Sequence, residues 1–329
     1  MSAVFDALPG IEVPVGEINH RLDAMWTDTA AAGGAAPAAE DAKATQVNFV
    51  LHLGARTTPE DGAKQFQTVV RFAQRYPSRI VVLCPISDEA HSGTEMRAKI
   101  YGECFLGKSK SDKRCVEFVL LSYPMKLRRF LEDQVSICLS ADLPMYYWAH
   151  RFSESGRLAD YQYLLRRASR VLLDSAVAPA GALSYPWPKP DAVRDLAFAR
   201  LLPVRQSIGQ FLASYPPALI SGGLQTVTVS HSAALLAEGR ALSRWFRARV
   251  IGCGAPESVT TNVHSVDQHT PTLAVEFGYG EPGKAFRWTG DLHTHHALFE
   301  ASFGGANTRL PAAVSLLRPE AALSEAMFF

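Results

Sequence analysis

Two short apolar segments flank an amphipathic helix early in the chain, and this pattern constrains the fold more than any other feature. Val47, Phe49 and Leu51 alternate with their neighbours as in a strand, and residues 79–85 form the continuous apolar run typical of a fully buried strand. Between them, Thr58–Asp61 combines a capping hydroxyl, a proline and two acids, which indicates a helix start. A strand, a helix and a strand in this order predict a parallel sheet covered by helices.

The following segments extend this sheet into a first domain. Residues 97–106 and 113–122 flank the polar turn GKSKSD and predict a β-hairpin, and two further apolar strands follow. We therefore expect residues 46–175 to form an N-terminal α/β domain, a mostly parallel sheet layered with helices. We interpret residues 1–45 as a short amphipathic helix followed by a flexible linker rich in alanine and glycine.

A second domain is predicted after the proline- and glycine-rich stretch that follows residue 175. A helical segment over residues 191–214 is interrupted by Pro203, and a strand and another helix come next. Residues 258–303 then alternate strongly between apolar and polar side chains, which is typical of an antiparallel meander. The pattern predicts a C-terminal α+β domain over residues 176–329, and the fold class of the whole chain is α/β.

The charge balance and the cysteine content limit the possible partners and compartment. The chain has 33 lysines and arginines against 32 acidic residues, so it lacks the basic excess that nucleic acids and membrane surfaces favour. It has no apolar run of the roughly 18–20 residues that a membrane span needs, and its first residues do not form a secretory signal. Five sparse cysteines predict reduced thiols in the cytoplasm.

The segment Gly102–Ser109 fits the phosphate-loop spacing GxxxxGK[ST], with Asp174 as a candidate metal-side acid. A phosphate loop must lead into a helix, however, and the residues that follow alternate like a strand. A hairpin with a basic tip explains the segment better. A nucleotide-dependent enzyme that uses this loop remains the alternative.

The same hairpin suggests a thiol switch. If its turn is symmetric, Cys104 lies directly opposite Cys115, at the 4.5–5.5 Å or so that separates facing cross-strand residues. This spacing permits a reversible disulfide. The other interpretation is that the two cysteines are small apolar residues that fill one face of the strands.

A histidine-rich segment, Asp291–His296, could bind a metal. On a strand, Asp291, His293 and His295 would share one face, and His264 and His269 could join them from a neighbouring strand. Neither a paired cysteine nor a glutamate motif completes the ligand set nearby. Signatures of catalytic nucleophiles are also absent from the sequence, so we assign no catalytic residue, cofactor site or metal site.

Five segments, taken in their order and spacing, resemble the OpcA family. They are residues 11–26 (IEVPVGEINHRLDAMW), residues 77–84 (PSRIVVLC), residues 142–149 (DLPMYYWA), residues 167–176 (RASRVLLDSA) and residues 195–214 (DLAFARLLPVRQSIGQFLAS). The resemblance covers roughly residues 10–27 and 46–250. The chain departs from the family where Phe198 and Val204 stand, since the family commonly has tryptophan at both positions.

The resemblance implies a non-catalytic assembly and activating subunit for bacterial glucose-6-phosphate dehydrogenase, located in the cytoplasm and without a cofactor. The motif residues are then candidates for the partner interface or for the framework of the family: Pro144, Trp148, Asp174, Asp195, Arg200, Pro203 and Arg205. A buried arginine that pairs with Asp174 or Asp195 would give a purely structural explanation of some of them.

Overall fold

The computed structural model describes residues 2–34, 36, 46–86, 95–106, 113–152, 160–267, 269–303 and 306–329. The chain divides into two compact units. Unit 1 comprises Met1–Asp195 and Leu323–Phe329, and unit 2 comprises Leu196–Ala322. The division follows Asp195 and not residue 175, where the composition suggested a boundary, because residues 193–195 add a last strand to the first sheet.

Unit 1 contains an eight-stranded sheet, sheet A, with helices packed against it. Its strands are β1 (Ile11–Val13), β2 (Val47–Leu53), β3 (Ser78–Ile86), β4 (Arg97–Leu106), β5 (Lys113–Pro124), β6 (Met145–His150), β7 (Arg170–Leu173) and β8 (Val193–Asp195). Its helices are α1 (Ala3–Ala7), α2 (Ile18–Ala31), α3 (Pro59–Ala73), α4 (Leu131–Cys138) and α5 (Gln162–Arg167).

Sheet A is mostly parallel, as the sequence predicted. The strand order is β1-β4-β5-β3-β2-β6-β7-β8. Neighbouring strands from β5 to β8 pair parallel, whereas β4 runs antiparallel to both of its neighbours, β1 and β5. After β2, the chain forms β3 and β5 on one side of β2, and it later forms β6 on the other side of β2. The order therefore reverses at β2, and the carboxyl ends of β2 and β6 form a topological switch point.

Local sequence explains the α3 crossover between β2 and β3. The Thr58 hydroxyl accepts a hydrogen bond from the Asp61 amide (3.2 Å), and Pro59 occupies the first turn, where its missing N–H costs nothing. The helix then buries Phe66, Val69 and Phe72 against the sheet. Burying three such side chains stabilises the unit by roughly 1.5–3 kcal/mol each.

Unit 2 contains a six-stranded sheet, sheet B, in the order β10-β9-β11-β12-β13-β14. The strands are β9 (Leu224–Ser232), β10 (Thr260–Val266), β11 (Thr272–Tyr279), β12 (Ala285–Asp291), β13 (His296–Phe303) and β14 (Ala306–Ala313). The helices are α6 (Leu196–Arg200), α7 (Leu202–Leu212), α8 (Pro217–Ser221) and α9 (Leu236–Gly252), and α10 (Pro319–Phe328) spans the end of unit 2 and the last residues of unit 1.

Three sequence predictions need correction here. The expected antiparallel meander holds for β11–β14, but β10 pairs parallel to β9, because the crossover helix α9 connects the two strands. The predicted helix over residues 191–214 begins with a single 3-10 turn (Pro190–Ala192) and the strand β8, and α-helix starts only at Leu196, although it does break into two helices beside Pro203. Helix α2 reaches Ala31, so the predicted linker begins later, and residues 37–45 lie outside the described residues.

Among the helices of the described ranges, we find none whose length and apolar character would allow it to cross a membrane.

A buried polar network lies on one face of sheet A, around His52 near the end of β2. The two imidazole nitrogens of His52 hydrogen-bond to the hydroxyls of Tyr147 and Tyr123, the latter at 3.2 Å. The Tyr123 hydroxyl also meets the Tyr161 hydroxyl at 2.8 Å. Burial lowers the pKa of His52 to about 3 and raises the pKa values of Tyr123 and Tyr147 well above their ordinary range. His52, Tyr123 and Tyr147 therefore stay neutral in the folded protein near neutral pH.

We expect this network to make the protein less stable as the pH falls below about 6.5. In that range the unfolded chain protonates His52 but the folded chain does not, so protons favour unfolding until the pH reaches about 3. The free energy of unfolding should fall by up to about 1.4 kcal/mol per pH unit from this residue. Urea unfolding of His52→Gln between about pH 7 and pH 5 should show a shallower pH dependence than the wild type. The exposed His20→Gln is the control, and equal slopes for the wild type and both variants would contradict the assignment.

Candidate functional site

The switch point of sheet A is the natural place to look for a site, because ligands of open α/β sheets bind outside the carboxyl ends of the strands. Here the backbone at the carboxyl end of β2 is in direct contact with the backbone at the carboxyl end of β6. The Gly54 amide donates to the His150 carbonyl (2.7 Å), and a β-carbon at Gly54 would collide with the Arg151 backbone. Glycine is required at this position by close packing of the two strand ends.

Asp61, in the first turn of α3, joins this edge to β6. One oxygen of its carboxylate accepts from His150 Nε2 (2.6 Å) and lies 2.7 Å from Arg151 Nε, while the other accepts from Gln65 Nε2 (2.9 Å). Arg151 has a positive φ of 47°, a conformation that is uncommon for residues other than glycine. The contact with Asp61 and the packing against Gly54 hold it there.

The charges of this cluster follow from burial and pairing. Burial opposes ionisation of Asp61, but the hydrogen bonds from His150 and Gln65 and the charge of Arg151 prevail and lower its pKa. Burial lowers the pKa of His150, and the nearby Asp61 carboxylate does not restore it. Near neutral pH, a neutral imidazole therefore donates its Nε2 hydrogen to an ionised carboxylate. The geometry resembles the base and orienting acid of many catalytic sites.

The second ring nitrogen of His150, Nδ1, is nevertheless inaccessible to solvent. His150 Nδ1, Thr57 Oγ1 and Trp148 Nε1 have almost no solvent-accessible surface and find no hydrogen-bond partner in the described part of the chain. An atom that a water molecule cannot reach does not face a ligand-sized cavity. In this conformation the cluster therefore acts as a brace between β2, α3 and β6, and not as an open catalytic site.

Four of the family-motif residues lie in unit 1. Pro144 precedes β6, and its carbonyl accepts from the Asn48 amide (3.0 Å). Trp148 is only 3% exposed, so it belongs to the core and does not form part of a partner surface in this conformation. Asp174 accepts from the Ala176 amide (3.0 Å) just after β7. Asp195, at the end of β8, accepts from both the amide (3.0 Å) and the hydroxyl (2.7 Å) of Ser175.

The other three motif residues lie in unit 2. Arg200 forms an ion pair with Glu238 of α9 (2.6 Å), in which the carboxylate side chain is 5% exposed. The Arg205 guanidinium stacks over the Phe198 ring, 3.8 Å from its centre. Pro203 lies in the first turn of α7. Sequence reasoning missed Glu238, since its place in a helical pattern gives no sign of a buried partner. Arginine pairing with Asp174 or Asp195 stays a prediction.

The phosphate-loop interpretation fails on the described residues. Gly102 lies within strand β4, which continues to Leu106, and the next described element is strand β5 and not a helix. Gly102 has a structural reason to be glycine, because a β-carbon there would lie 2.7 Å from the Trp26 ring. Residues 107–109, with the lysine of the motif, lie outside the described residues.

The shared strand face on which Asp291, His293 and His295 could have bound a metal is not formed. Strand β12 ends at Asp291, and residues 292–295 form the turn to β13, so the histidines do not share a strand face. The Asp291 carboxylate accepts from the amides of His293 (2.8 Å) and Thr294 (3.2 Å), which is the ordinary role of aspartate in a turn. Over the described ranges, no three His, Cys, Asp or Glu side chains group closely enough to hold a metal ion.

The cysteine pair lies where the hairpin predicted it. Cys104 and Cys115 are direct cross-strand partners of β4 and β5, with Cα atoms 4.0 Å apart, and their sulfurs form a disulfide. Cys84 and Cys138 are buried free thiols and Cys253 is an exposed one. The expectation of reduced thiols is therefore corrected for one pair, while the switching role of that pair stays a hypothesis.

Searches of protein-family models and of curated protein sequences return no match to this chain.

We expect Cys104 and Cys115 to cycle between dithiol and disulfide, because facing strand positions hold the two sulfurs within bonding reach. After the protein has been fully reduced and the reductant removed, mild oxidant should remove two hydrogens from the intact chain, and peptide mapping should place the new bond between these residues. Cys104→Ser/Cys115→Ser should abolish the change, and Cys253→Ser should leave it intact. No mass change, or a bond at other cysteines, would refute the switch.

We expect Glu238→Gln to destabilise unit 2 by about 2 kcal/mol, because it leaves the largely buried Arg200 guanidinium without its carboxylate. The exposed Glu276→Gln, which removes a carboxylate from β11 of sheet B in the same unit, is the matched control. Chemical denaturation of both variants measures the difference. Equal stability of the two variants would show that the Arg200–Glu238 pair contributes nothing.

Proposed function

We propose that this protein is a non-catalytic subunit that binds glucose-6-phosphate dehydrogenase in the bacterial cytoplasm and promotes its active oligomeric state. The observation that carries the proposal is the succession of segments, over roughly residues 10–27 and 46–250, that resembles the OpcA family in order and spacing. A single short motif recurs by chance in unrelated proteins, whereas several such motifs in the same order and spacing along one chain are far more specific.

The places of the motif residues fit this proposal. Asp195 caps the turn after β7, Arg200 pairs with Glu238, and the Pro144 carbonyl accepts a hydrogen bond from the Asn48 amide near the start of β2. Residues of this kind preserve a framework, and a protein that works by binding needs its surface held in one shape. Activation would then come from binding one conformational or oligomeric state of the enzyme more tightly than the others.

The alternative is an enzyme that depends on a nucleotide or a metal, with Gly102–Ser109 or Asp291–His296 as its site. The described residues of both segments adopt strand and turn conformations for which packing and capping give sufficient reasons. The geometry therefore favours the binding protein over this alternative.

The test is to mix the purified chain with glucose-6-phosphate dehydrogenase from the same organism. We expect the two proteins to co-elute, and we expect the maximal rate or the apparent affinity for glucose 6-phosphate to change with a saturating dependence on the added chain. A serum albumin added at equal mass controls for non-specific stabilisation. The absence of both a complex and a kinetic effect would overturn the proposal.

Lys108→Ala separates the two classes of function. A nucleotide-dependent enzyme would lose turnover, because the lysine of a phosphate loop contacts the terminal phosphates. The assembly subunit should keep its effect on the dehydrogenase.

A further inference from the structure

The free edge of sheet B at strand β10 differs from the other three sheet edges formed by the described residues. Natural sheets protect their edges with short strands, charged residues or proline, since unpaired backbone groups otherwise recruit another strand. In sheet A both edge strands, β1 and β8, have three residues, and they carry Glu12, Arg194 and Asp195. In sheet B, edge strand β14 carries Arg309 and Pro311.

Strand β10 has none of these protections. Its seven residues, TTNVHSV, include no acid, lysine, arginine, proline or glycine, and β-branched residues predominate. It pairs with β9 on one side, and none of the described strands pairs with its other side. A strand of this length and composition is well suited to the addition of another strand.

The central residue of β10 supports the same conclusion. Val263 is in register with Val229, and paired residues of neighbouring strands point to the same face of a sheet. Val229 is completely buried in the core, whereas Val263 is 36% exposed, because the sheet ends there. The core of unit 2 therefore reaches the open edge with an apolar side chain that another strand would cover.

From this geometry we infer that β10 pairs with β10 of a second copy of this chain, antiparallel across a two-fold axis through Val263. The strand is complementary to itself in this register. Val263 meets Val263 of the other copy, Asn262 meets His264, and Thr260 meets Val266, so no like charges oppose each other. A two-fold axis makes the interface isologous and closed, which limits assembly to a dimer and joins the two copies of sheet B into one continuous sheet.

Lysine at position 263 tests the axis directly. Val263→Lys removes the apolar contact and places two ammonium groups opposite each other, so it should raise the dissociation constant of the dimer by about tenfold or more. Leu310→Lys is the matched control, because Leu310 is an exposed apolar residue (47%) on the opposite edge strand of the same sheet. Sedimentation velocity of the full chain over about 1–100 μM measures the constant, and circular dichroism verifies that each variant is folded.

A charge-swap experiment completes the test. Val263→Glu alone should also weaken the dimer, but a mixture of the Val263→Lys and Val263→Glu chains should restore dimers of mixed composition, because opposite charges then meet at the axis. A wild-type chain that stays monomeric throughout the range would overturn the inference. So would Val263→Lys that dimerises like the wild type, or mixing that fails to restore dimers.

Discussion

The parallel pairing of β2 with both β3 and β6 is the constraint on which the rest of unit 1 depends. All seven residues of Val47–Leu53 are buried, so this strand has neighbours on both edges and covering side chains on both faces. Parallel pairs cannot be joined by tight turns, and the crossover helix α3 follows from that requirement. The reversal of strand order at β2 brings Asp61 and His150 together at the switch point.

Polar side chains at the two ends of β2 specify its position in the sheet. At its start, the fully buried Asn48 donates to the carbonyls of Ser140 (2.7 Å) and Leu143 (3.2 Å) and accepts from the Ser140 amide (3.1 Å). Near its end, His52 is held between two tyrosines. Shifting the strand by one residue would leave these polar groups buried without partners, which costs far more than a lost apolar contact. The network thus adds specificity to a strand whose apolar residues alone would fit several registers.

The extent to which the sequence predicts this structure depends on how local each feature is. The buried runs and the α3 start predict sheet A, and the turn between residues 106 and 113 predicts the facing cysteines, because these patterns lie within short stretches of chain. Alternation marks β10 as a strand, but it carries no information on the direction of its partner. The sequence of residues 291–296 is compatible with either a strand or a turn. No local sequence signal predicts the positive φ of His295 (60°), which belongs to the turn. Glu238 is 38 residues from Arg200 along the chain, and no local sequence pattern predicts an ion pair over that separation.

Sheet B has two surfaces that differ in their tendency to associate: the charged open face resists association, and the edge at β10 favours it. Its open face carries a row of alternating charges across neighbouring strands, Glu276, Arg287, Glu300 and Arg309. Their exposed pairs, such as Glu300–Arg309 at 3.7 Å, contribute little stability, but the charges keep this face hydrated. At the edge formed by β10, the backbone groups are polar and the side chains carry no formal charge, so pairing there needs no desolvation of a charge. A dimer joined along β10 would therefore leave the charged face of each copy open, and a second protein could still bind it.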